Sequence, residues 1–130
     1  MEYNYLKVLD KLAFVLSDID KLINETTPKT FEDKKVSILL DNIIDEIKYT
    51  IARIEYFKKE PITGFLQEKG NGRFEIAGYE LTCGNALEVY SEEYSKWFFG
   101  RVEYNDKYYF HCMDLDNPSL YSGIQVRVRI

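Results

Sequence analysis

Histidine occurs once in this chain, at His111, and cysteine only twice, at Cys83 and Cys112. A metal site built on two or more histidines is therefore excluded. His111 with both cysteines supplies three zinc ligands, short of the usual four. Two distant cysteines do not make a disulfide framework, and a reducing compartment favours two buried free thiols. No apolar run approaches the roughly 18 residues that span a bilayer. The opening Met1-Glu2-Tyr3-Asn4-Tyr5 is not basic and leads into no signal-type stretch. These absences point to a cytoplasmic protein with no membrane partner.

Other chemistry is missing as well. Gly70-Asn71-Gly72 joins two strand-like segments and has no following Lys-Ser/Thr, so it is no phosphate loop. Asp114-Leu115-Asp116-Asn117 begins like a calcium loop but lacks the later glycine and bidentate Glu, and reads as turn chemistry. His111 and Cys112 are adjacent on a strand, point to opposite faces, and cannot readily form a nucleophile–base pair. The expectation is a protein that is not an enzyme and has no metal and no cofactor.

What is present is charge and aromatic surface. Charged residues make up 30% of the 130, hydrophobic residues 45%, and the net charge is -5. Free nucleic acid is a poor bulk partner for such a chain, because binding it depends on clustered Lys and Arg. An acidic protein can instead cover a basic surface.

The first half has helical periodicity. Leu6, Leu9, Leu12, Ala13, Leu16, Ile19, Leu22 and Ile23 recur at steps of three and four, and Val8 and Val15 widen the stripe. Asn24 to Lys29 is a polar turn containing Pro28. Thr30 is an N-cap, with Glu32 and Asp33 in the first turn. Val36, Leu40, Ile43, Ile47, Thr50, Ile54 and Phe57 then form a heptad seam, which Pro61 ends. Two antiparallel helices follow, the second longer. The surplus apolar face of the second requires a cover, either the rest of the chain or a second copy in a homodimer.

After Pro61 the period becomes two. Strands are expected at 62–67, 73–76, 79–81, 86–90, 96–104, 107–112, 119–121 and 124–130, with Asn105-Asp106 as a tight turn. The predicted fold class is α+β: an N-terminal antiparallel helical hairpin over 1–60 and a small SH3-like antiparallel β-barrel over 61–130.

The barrel half holds the candidate binding residues. Glu92, Glu93 and Tyr94 form an acidic loop beside Trp97, and acid next to aromatic can imitate phosphate and base. Tyr104, Asp114 and Asp116 complete the candidate partner-binding set. Phe98-Phe99 and Tyr108-Tyr109 are adjacent pairs, so one ring of each faces outward, as suits base stacking or protein hot spots. Arg73, Arg101, Arg127 and Arg129 are the alternative, a local nucleic-acid surface.

Gly72-Arg73-Phe74, Gly78, Glu80-Leu81-Thr82 with Gly84, Trp97, Gly100-Arg101-Val102-Glu103, Tyr108-Tyr109-Phe110 and Gly123 with Val126-Arg127-Val128-Arg129 resemble a small uncharacterised domain family of Gram-positive mobile genetic elements. In size, acidity and two-part build the whole chain looks like an anti-CRISPR protein. The resemblance implies an inhibitor acting in a bacterial host cell on an RNA-guided (type II) CRISPR effector nuclease or its guide-RNA complex. It transfers no site residues.

Overall fold

A computed structural model describes all 130 residues. The fold is α+β, two helices followed by antiparallel sheets. The chain divides into two compact units, Met1–Lys59 and Glu60–Ile130. No helix is long and apolar enough to cross a membrane.

In the first unit, α1 spans Tyr3–Asn24 and α2 spans Phe31–Lys58. The Thr30 hydroxyl accepts from Asp33 N–H at 3.0 Å, and the Asp33 carboxylate accepts from Thr30 N–H, giving a full capping box. The backbone N–H groups of Thr30 and Lys29 both donate to the Asp33 carboxylate and hold it below the ordinary aspartate range. The first helix begins at Tyr3, one turn before the apolar series that starts at Leu6. Leu9 and Ile44 are the only buried apolar residues of the pair.

The second unit holds β1 (Pro61–Phe65), β2 (Gln67–Glu68), β3 (Phe74–Ile76), β4 (Tyr79–Glu80), β5 (Ala86–Ser91), β6 (Lys96–Asn105), β7 (Lys107–His111) and β8 (Gln125–Arg129). A five-stranded antiparallel sheet has the order β1-β8-β5-β6-β7, and a three-stranded one the order β2-β3-β4. The last strand therefore lies between the first and the fifth. The segment expected as one strand over 62–67 is broken at Leu66, which is fully buried. Leu66 N–H donates to the Ile124 carbonyl and Leu66 C=O accepts from Gly123 N–H, so its backbone bonds leave the ladder. The expected strand at 119–121 reduces to a single bridge, Ser119 to Tyr109.

Both sheets contribute to one core. Phe74, Ile76 and Leu81 meet Leu87, Val89, Phe98, Val102, Phe110, Val126 and Val128 there. Alternation decides the inner members: Phe98 is buried and Phe99 half-buried, and Val126 and Val128 point inward while Arg127 and Arg129 point outward. The cysteine expectation needs a correction. Cys112 is buried in the core, but Cys83 sits exposed in the turn Thr82-Cys83-Gly84-Asn85, where backbone turn bonds leave its side chain in solvent.

Candidate functional site

The acidic loop is a four-residue connection between β5 and β6, closed by the pair Ser91–Lys96. The Ser91 hydroxyl accepts from Tyr94 N–H at 3.3 Å, and Ser95 takes a positive φ of 54° to turn the chain back. The Tyr94 ring packs edge-on against Phe98, centroids 5.8 Å apart. This fixes Tyr94 while leaving it 56% exposed.

The second acidic segment runs from Met113 to Pro118. Phe110 N–H donates to the Pro118 carbonyl at 2.8 Å and closes its base. A turn from Cys112 to Leu115 and a positive φ at Asn117 shape the rest.

These two loops meet. Glu93, Tyr94, Asp114 and Asp116 line one cleft of about 350 Å³ with Met113, Leu115 and Pro118. An adjoining cleft of about 440 Å³ shares Glu93, Tyr94, Leu115 and Pro118 and adds Glu92, Phe65, Tyr90 and Tyr121 among others. No Lys or Arg lines either cleft. None of the four carboxylates enters a salt bridge. Phe65, Met113 and Tyr121 are all more than 60% exposed around them. Five candidate residues, Glu92, Glu93, Tyr94, Asp114 and Asp116, thus form one acidic, aromatic end of the β unit.

Two candidates lie elsewhere. Trp97 is on the outer face of the large sheet, edge-on to Tyr90 at 5.4 Å and under the Arg127 guanidinium at 4.2 Å. Tyr104 lines a separate cleft of about 480 Å³ with Arg73, Lys107 and Tyr108.

The four arginines of the alternative set are all ion-paired. Arg73 bonds Glu80 at 2.8 Å and Arg101 bonds Glu103 at 2.7 Å. Arg127 and Arg129 each bond Glu88 at 2.8 Å. Glu88 is a buried charge in the second unit that the sequence reading missed. Burial pushes its carboxyl up, but hydrogen bonds from Arg129 and then Arg127 outweigh that and hold it below the ordinary glutamate range. The available signal was a glutamate between core residues Leu87 and Val89, on the face that the Arg127-Val128-Arg129 strand also presents.

No group of three or more His, Cys, Asp or Glu side chains is arranged to hold a metal ion. His111 packs near the Tyr109 ring on the outer face, while the Cys112 side chain lies in the core.

Residues 64–128 match the family described as Domain of unknown function (DUF5348). No curated protein and no solved structure matches the chain.

Proposed function

The chain belongs to the DUF5348 family, and we propose that it is a non-catalytic, protein-binding inhibitor whose acidic, aromatic end covers a basic surface of its partner. One observation carries this reading: two loops about twenty residues apart in sequence bring four unpaired carboxylates around exposed aromatic and thioether side chains. Carboxylates steer association with a cationic surface, and desolvated aromatics supply most of the energy at such contacts. The basic channels of nucleic-acid enzymes fit this chemistry.

The most specific form of the proposal is an anti-CRISPR protein of a mobile element, competing with nucleic acid for the channel of a type II effector in the host cytoplasm. The test is cleavage by a panel of such effectors at increasing protein, with the wild-type chain and Glu93→Lys/Asp114→Lys in parallel. Wild-type inhibition that the double variant loses supports it. Unchanged cleavage at large excess over every effector overturns the anti-CRISPR form. Failure to bind any basic protein channel, measured directly, overturns the broader one.

A second reading is favoured by the cleft of Arg73, Tyr104, Lys107 and Tyr108, where two tyrosine rings lie 4.9 Å apart beside two cations. It would bind single-stranded nucleic acid by stacking. Absence of a gel shift at low salt removes it.

A further inference from the structure

The helical unit leaves an aliphatic face bare. Val8, Val15 and Leu22 recur every seven residues along α1, so they share one stripe, and each is at least 44% exposed. Val36, Leu39, Leu40 and Ile43 form the corresponding stripe of α2, each at least 37% exposed. A groove lined by Leu12 of α1 and Asn42, Ile43, Glu46, Ile47 and Thr50 of α2 runs between the helices, and Ile43 of the second stripe borders it.

Three exposed aromatics of the same helices, Tyr3, Phe31 and Tyr49, are shielded differently. Lys7 lies over Tyr3 at 4.7 Å, Lys35 over Phe31 at 5.4 Å and Arg53 over Tyr49 at 4.7 Å, each cation one turn further on. No such cation covers the aliphatic stripes. They expose on the order of 500 Å² of apolar surface, at the limit of what monomers carry and close to one partner's share of a standard interface once a polar rim is added.

We propose that two copies of the chain associate through this face, so that each helix gains the second neighbour it has in a four-helix bundle. Charge selects a copy of the same chain over an oppositely charged protein. The helical unit has eleven acidic and ten basic residues, whereas the β unit has eleven acidic and seven basic. The hairpin is thus nearly neutral with interleaved signs, and two copies of it meet without net repulsion. The stripes contain only Val, Leu and Ile, which suit an equally aliphatic surface, and heptad spacing on both helices supplies one. A dimer would also carry two acidic ends, raising the avidity for a repeated basic partner without any new contact.

The test is the mass of the full chain by sedimentation over a wide concentration range. The expected result is twice the chain mass of 15.4 kDa. Leu39→Glu/Ile43→Glu should raise the dissociation constant at least a hundredfold, while Ile38→Glu, on the opposite side of α2, should leave it unchanged. Circular dichroism and Trp97 emission report folding of the variants. If the double variant loses helix, the milder Leu39→Ser decides, with a rise of about tenfold expected at full helix content. A wild-type monomer at several hundred micromolar overturns the proposal. So does a dimer whose constant Leu39→Ser leaves unmoved.

Discussion

Arg129 donates from Nε to a carboxylate oxygen of Glu88 at 2.8 Å, and Glu88 is only 2% exposed. Arg127 binds the other oxygen at the same distance and lies against Trp97 at 4.2 Å. One buried carboxylate therefore ties the outward arginines of β8 to β5 and to the single tryptophan.

Removing that carboxylate leaves two guanidinium groups without their counter-charge. Glu88→Gln is expected to destabilise the β unit by about 3 kcal/mol, as for other broken buried pairs. Chemical denaturation followed by Trp97 emission measures it. The folded carboxyl lies below its unfolded range, so its contribution is present above the unfolded glutamate value of about 4.3. It is lost as pH falls through the lower folded value. The wild type should therefore lose more stability than Glu88→Gln between pH 5 and strongly acid solution. Parallel acid losses in the two proteins would rule this account out.

Gly100 is fixed by contact with its partner strand. A Cβ there would lie 2.3 Å from the His111 carbonyl oxygen and 2.8 Å from the Phe110 ring, which is fully buried. Backbone cannot give way as a flexible side chain does. Gly100→Ala should cost about 2–3 kcal/mol through strain between β6 and β7. A midpoint of urea unfolding equal to wild type would contradict this.

The β3–β4 hairpin turns on Ala77 and Gly78, with φ of 49° and 84°. Two positive φ values are the requirement of the tight turn whose twist matches paired strands. Alanine meets it at a steric cost that glycine and asparagine avoid. Ala77→Asn should raise stability by about 0.5–1 kcal/mol. Thermal melting compared with wild type checks the sign.

The two thiols differ in access. Cys83 is exposed and Cys112 is buried in the core. A water-soluble disulfide reagent should label one thiol per folded chain rapidly and the second only on unfolding. Cys83→Ser should abolish the rapid phase and leave the slow one.

Local order was legible in the sequence. The period of 3.6 from Leu6 and the change to 2 after Pro61 gave both helices and most of the strands, because side-chain direction repeats within a few residues. Thr30 marked its cap for the same reason: its partner Asp33 is three residues away. Leu66 and the 119–121 segment misled the strand reading. Their backbone groups bond to Ile124, Gly123 and Tyr108, partners that no short window contains.

The candidate site divides along the same line. Composition and spacing identified Glu92, Glu93, Tyr94, Asp114 and Asp116 as polar or aromatic loop residues. Only the tertiary structure brought the two loops to one end, because the Phe110–Pro118 bond and the β5–β6 pairing close them independently. Likewise, sequence placed Arg127 and Arg129 on the outward face of β8. It could not show that they pair with Glu88, 39 and 41 residues away, which depends on β8 entering the sheet beside β5. The sequence by itself determined where the helices lie and the alternation along most of the strands. The fold decided which of those faces meet, and so turned two outward arginines into partners of Glu88 and two ordinary turns into one acidic surface.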